Sequence, residues 1–236
     1  MAEPLIFLPG LMCDARLFGP QIAAMSANLA VTVAPVTQGE RIEEIASGLL
    51  DLLPRRFAMA GHGMGGAVAM EILRRAPNRI SRLALISTHP LAETPQAAAE
   101  REPRLVRARA GRLREIYTEE LPIDCLAPTP YRTEVYELAL DMAEALGAET
   151  FIRQARALQR RRDQTTTLCN CKVPTLVLCG RHDGSCPVKR HESMAELVPY
   201  ATLKVIEDAG ALPTLEQPDE ATSILMEWLK QPLVLR

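Results

Sequence analysis

Four glycines fall within six residues in the segment Gly61-His62-Gly63-Met64-Gly65-Gly66. Before them stands the apolar run Phe57-Ala58-Met59-Ala60, which reads as a buried strand. After them, Ala67 to Arg75 is rich in helix formers and is closed by Pro77. A strand that must reverse into a helix over so few residues needs backbone conformations that side chains resist, and glycine supplies them. The helix that begins there points unpaired N–H groups and its positive dipole end at whatever lies above.

The same alternation continues along the chain. Leu5-Ile6-Phe7-Leu8 is a strand closed by Pro9-Gly10, followed by a helix from about Phe18 to Leu29. Val31 to Val36 reads as a strand and Ile42 to Leu53 as a helix. Further strands are expected at Leu83 to Ser87, Pro174 to Cys179 and Ala201 to Ile206, with helices at Val188 to Leu197 and Asp219 to Lys230. Short apolar runs alternating with helices predict an α/β protein with a mostly parallel central sheet flanked by helices. The stretch 94–167 breaks the rhythm. It is helical in composition, with turns at Leu121 to Pro130 and near Gly147, and reads as a helical cap inserted between two parts of a core, 1–93 and 168–236.

Composition excludes several classes. The chain has 236 residues, 47% of them hydrophobic and 24% charged, which is ordinary for a globular protein and too apolar for disorder. Its formal charge is -2, which gives no electrostatic ground for nucleic acid or membrane as a partner. No apolar run reaches the roughly 18 residues that suggest a membrane span, and Met1 to Leu5 lacks the opening of a secretory signal. The six cysteines follow no zinc or disulfide spacing and the four histidines are scattered, so no metal and no cofactor is expected and a reduced, cytoplasmic setting fits. Only four basic residues are lysines; arginines gather in Arg101 to Arg114 and Arg153 to Arg162. These clusters read as solvated helix faces rather than an anion-binding surface.

With strand, glycine turn and helix in place, the chain resembles the α/β-hydrolase superfamily, in particular its small cap-bearing esterases and lactonases. Gly61 to Gly66 resembles the nucleophile elbow Gly-x-Ser-x-Gly, Leu8-Pro9-Gly10-Leu11 the oxyanion loop, and Leu178 to Asp183 the strand end that supplies the triad acid. Asp208-Ala209-Gly210-Ala211-Leu212-Pro213 is similar to the loop that carries the catalytic histidine. The resemblance implies Asp183 as the surviving acid and the N–H groups of Leu11 and Met64 as the oxyanion hole. It also implies that Gly63 stands at a vacated nucleophile position and Ala211 at a vacated histidine position, so ordinary acyl-enzyme chemistry is lost. Because the surrounding motifs are intact, an engineered or inactivated variant is favoured over drift.

A relocated nucleophile is the remaining catalytic route. Cys13 follows the oxyanion loop and Cys186 follows Asp183, with His89 and His182 as possible bases. Cys125 is a weaker candidate, Cys179 reads as a strand residue, His62 is expected to turn away from position 63, and His191 is expected to be exposed. The glycine segment lacks both the Lys-Ser/Thr ending of a phosphate loop and the spacing of a dinucleotide fingerprint. The expected partner is a small-molecule ester or other apolar carbonyl compound, and a monomer is the default. Three readings follow: a silenced carboxylic-ester or lactone hydrolase, an esterase rebuilt on a cysteine, and a non-catalytic small-molecule-binding relative.

Overall fold

The computed structural model describes residues 3–233. Six parallel strands form one sheet: β1 (Leu5–Leu8), β2 (Val31–Val33), β3 (Phe57–His62), β4 (Ile80–Ile86), β5 (Thr175–Gly180) and β6 (Ala201–Ile206). Their order across the sheet is β2-β1-β3-β4-β5-β6. In β1, β3 and β5 every residue is buried, as strands covered on both faces require, while the edge strands β2 and β6 are half-covered.

Pleating divides the apolar side chains between two layers. Leu5 and Phe7 face the layer that holds α1 (Gly19–Met25) and α10 (Pro218–Lys230), with Met25, Leu225 and Trp228 at its centre. Ile6 and Leu8 face α2 (Ile42–Leu52), α3 (Met64–Arg75) and α8 (Val188–Leu197).

Between β4 and β5 the chain forms α4 (Pro95–Arg109), α5 (Leu113–Glu120), α6 (Arg132–Gln159) and α7 (Thr165–Cys169). The expected turn near Gly147 is a break inside α6, where Gly147 takes φ +79°. This insert has no apolar centre of its own. Leu105, Ile116, Tyr117, Leu140 and Phe151 join Phe7, Leu17 and Phe18 in one buried cluster. The arginines of α4 and α5 are used within the insert: Arg101 meets Glu93 and Glu120, Arg107 meets Glu119, and Arg114 meets Glu137 and Glu144. Charge that would make an anion-binding face is spent between helices.

Several boundaries differ from expectation: α1 ends at Met25 rather than near Leu29 and β4 begins at Ile80 rather than Leu83, and two further differences have local reasons. Gly61 and His62 extend β3, pairing with Leu85 and Ile86, so the reversal is compressed into Gly63 and α3 begins at once at Met64. β2 ends at Val33, two residues before Pro35, which cannot donate to a ladder. Among the described residues, no helix is long and apolar enough to cross a membrane, and all six cysteines are free.

Candidate active site

Strand order reverses between β1 and β3, and in an open parallel sheet the crevice beyond the carboxyl ends of the strands at such a point is where ligands bind. A cavity of about 160 Å³ lies there. Leu11 and Cys13 enter it after β1, His62, Gly63 and Met64 around the end of β3, Ser87 after β4, and Asp183 and Ser185 after β5. Ala211 and Leu212 follow β6, and Tyr117, Glu120 and Leu121 reach in from the insert. A groove of about 650 Å³ beside the C-terminal end of α3 is larger, but no strand's carboxyl end opens into it, and we place the site at the smaller cavity.

Gly63 takes φ +51° and ψ -114°. A side chain there would meet no heavy atom closer than the Gly10 Cα at 3.7 Å, so the position is open in space and strained only in backbone. Its N–H donates to the Ile86 carbonyl and its own carbonyl accepts from Thr88 Oγ1. Met64 is the first residue of α3, where a helix leaves its N–H unpaired. Two non-glycine residues beside the cavity also take positive φ, Met12 at 54° and Ser87 at 45°. Met12 is held by the insert: its N–H donates to Gln154 Oε1 at 2.9 Å, and Gln154 Nε2 donates to the Val36 carbonyl.

His62 bridges the two positions that lack side-chain chemistry. Its Nε2 donates to the Ala211 carbonyl at 2.7 Å, and the Ala211 N–H donates to the Cys125 carbonyl at 2.8 Å. The ring does turn towards a neighbouring loop, yet it still lines the cavity. It lies so close to Gly10 that a side chain at that position would strike it. Burial drives its pKa down to about 4, so the imidazole is neutral.

Asp183 is buried beneath the cavity. Its Oδ1 accepts from the N–H groups of Ser185 at 2.9 Å and Cys186 at 2.8 Å. Oδ2 and the Ser87 hydroxyl beside it are buried, and have no partner among the described residues beyond the hydrogen bond between them. Burial raises this carboxyl to about 6, against the pull of the two backbone donors and of Ser87. Glu216 is handled differently: one carboxylate takes the N–H groups of Ala127, Gly210 and Leu212, tying the insert to the loop around Ala211.

Of the relocated candidates, only Cys13 reaches the cavity. Burial pushes its thiol up to about 12 despite a hydrogen bond with Tyr117. Cys186 is buried with its thiol directed at the Thr88 carbonyl and is likewise pushed up to about 12 by burial. Neither thiol supplies a thiolate at neutral pH. His89 lies outside the cavity, with its Nε2 3.3 Å from Arg161, and burial followed by that positive charge lowers its pKa to about 4. His182 is exposed and contributes its backbone N–H to the Ala209 carbonyl. The structure thus places neither histidine beside Cys13. His191, expected on an exposed helix face, is fully buried, and its Nε2 accepts the Thr88 N–H. Cys125 is buried and takes the Ser185 hydroxyl at 3.4 Å, and Cys179 is a buried strand residue.

Sequence reasoning did not single out Ser87, Tyr117, Gln154 or Glu216. Only Ser87 carried a signal, its place at the end of an apolar run followed by a helical stretch.

The arrangement supplies a pocket, backbone donors and a carboxylate, and at positions 63 and 211 no side chain able to attack or to take a proton. Comparisons with known proteins give the family of the fold. A carbamate hydrolase-like protein of Pseudomonas savastanoi pv. phaseolicola, named putative carbamate hydrolase RutD, is 26% identical over 97% of this chain and 94% of its own length. The pimeloyl-[acyl-carrier protein] methyl ester esterase of Aromatoleum aromaticum is 26% identical over 80% of each chain. A thermophilic esterase from Thermogutta terrifontis superposes with a TM-score of 0.88 at 27% identity, covering 98% of this chain and 90% of that one. The model of the alpha/beta hydrolase family matches residues 5–223, which include all six strands and the insert, and the chain belongs to that family.

Proposed function

We propose that this hydrolase-family chain holds a small ester, lactone or other carbonyl compound under the insert, which acts as its cap, without the acyl-enzyme step of a serine hydrolase. The observation that carries the reading is the turn at Gly63. It keeps a backbone conformation that side chains resist, facing a cavity, and presents nothing there. A carbonyl oxygen placed over Gly63 meets the donors of Leu11 and Met64, which stabilise charge on that oxygen whether or not a covalent bond forms. Without a base at Ala211, no proton leaves an attacking group, and turnover by this route stops at binding. The esterase and carbamate hydrolase names of the relatives support a carbonyl ligand.

The test compares this chain with its Gly63→Ser, Ala211→His double variant on short activated esters. Turnover by the double variant alone supports the reading. Equal rates in both would overturn it and turn attention to Cys13, whose replacement by alanine would then abolish the activity.

A further inference from the structure

We propose that the groove at the C-terminal end of α3 is a second binding site, which takes a small organic monocarboxylate with an aliphatic body. The groove, of about 650 Å³, lies between α3, the short helix α7 and the segment that leads into β5. It stands apart from the cavity at the strand ends. The 12 residues of α3 run from Met64 at that cavity to the groove, about 18 Å of helix at roughly 1.5 Å per residue.

Three cations line the groove, Arg74, Arg162 and Lys172, against one carboxylate, Asp163. Their charged ends are open to a ligand. The side chains of Arg74 and Arg162 are 41% and 65% exposed, and Lys172 is exposed as well. Each arginine is held by part of its guanidinium only. Arg74 gives Nε and Nη2 to the buried Glu71, and Arg162 meets Glu43 through Nε at 2.7 Å. That leaves Arg74 Nη1 and both Nη groups of Arg162 to donate outwards. Asp163 is occupied, its Oδ1 accepting the Thr165 N–H at 2.8 Å. Lys172 meets no carboxylate among the described residues.

The charge count selects the ligand. With Arg75, which shares Glu71, four cations stand against Glu43, Glu71 and Asp163, a surplus of one positive charge. A carboxylate answers it, whereas a phosphate monoester, with about two negative charges, would be left half unmatched. The C-terminal end of α3 opposes an anion with roughly half a charge that fades within a turn, and Lys172 brings a whole one. The floor residues Leu73 and Val173 are nearly covered, so the body of the ligand lies on exposed Pro77 and on the aliphatic stems of Arg74 and Lys172. The volume equals roughly twenty waters at about 30 Å³ each, room for a head group and a chain of about six carbons.

Four probes share one chain and differ in the head: hexanoate, hexanamide, hexylammonium and hexyl phosphate. They are titrated at neutral pH and low salt against the amide shifts of Asn78, Asn170, Lys172 and Val173. Hexanoate should bind at least about tenfold more tightly than hexanamide, with hexylammonium weaker still and hexyl phosphate no tighter than hexanoate. Lys172→Gln should bring hexanoate down to the hexanamide level, and Arg162→Gln should weaken it about threefold. Both side chains are exposed, so the variants should melt as the unmodified chain does. Added salt should weaken hexanoate and leave hexanamide unchanged. Equal binding of acid and amide, no saturable shift at the groove amides, or full affinity in Lys172→Gln would overturn the proposal. Tighter binding of hexyl phosphate would overturn the choice of a monocarboxylate. Shifts confined to Ser87, Ser185 and Cys186 would put the acid in the other cavity and overturn the groove as its site.

Discussion

Asp183 carries a linkage consequence that can be read from melts. Its folded pKa of about 6 lies above the ordinary 3.8, so between those values the folded chain holds a proton that the unfolded chain has released. Stability therefore falls as pH rises through that window, by up to about 3 kcal/mol for a shift of roughly two units. Asp183→Asn, which keeps an oxygen for the Ser185 and Cys186 N–H groups, should raise the melting temperature at pH 8 and leave it nearly unchanged at pH 4. Equal effects at both pH values would refute the assignment. At Gly63 the expectation has the opposite direction. Gly63→Ser adds a side chain at φ +51° and should cost about 1–3 kcal/mol, seen as a lower midpoint in urea with unchanged slope. For the thiols, iodoacetamide near pH 8 should modify exposed Cys169 first. Cys13 and Cys186, buried and held near pKa 12, should react only as the chain unfolds; early modification of Cys13, followed by mass spectrometry, would revive it as a nucleophile.

At the scale of elements, Glu216 is the clamp of the site. It sits at the end of α9 (Pro213–Glu216) and fastens residues from two loops that are distant in sequence. Glu216→Ala leaves three N–H groups without acceptors and should cost about 2–4 kcal/mol, with hydrogen exchange at Gly210 and Leu212 rising towards the rate of exposed loops. Unchanged protection there would show that the Cys125 to Ala211 bond alone holds the loop. Such clamps mark where legibility in the sequence ends. The strand Leu5–Leu8 was readable to the residue, because burial on both sides of a sheet writes itself as an unbroken apolar run, and the half-covered strand Ala201–Ile206 and the helix Val188–Leu197 were readable from their alternation and helical spacing. Asp183, Gly63 and Ala211 were readable as positions on strand ends. Gln154 and Glu216 were not, since Gln154 acts on Met12 and Glu216 on Ala127, partners far away in sequence, and their own neighbours carry no pattern. His191 misled for the same reason: helical spacing says that a face exists, and only the Thr88 amide decides that this ring is inside.

For the molecule as a whole, the division into core and insert is topological rather than energetic. Phe151 and Ile116 of the insert lie in the same buried cluster as Phe7 and Phe18 of the sheet layer. Replacing residues 94–167 by a short linker should therefore yield a chain without a cooperative unfolding transition, because one sheet face would lose its cover. A sharp melt in the shortened chain would show the core to be independent. The insert's ion pairs, most of them partly exposed, should matter less. Raising salt should change the unfolding free energy by under about 1 kcal/mol. The shared cluster also sets how traffic reaches the pocket. A segment fused to its foundation does not swing on a hinge, and Gln154 pins the Met12 amide from the insert side. Entry and exit then depend on rotamer hops and loop breathing at the doorway, on nanosecond to microsecond clocks rather than the millisecond clock of a moving domain. Such a vestibule admits small guests quickly and refuses large ones outright, and its selectivity by size needs no motion of the frame.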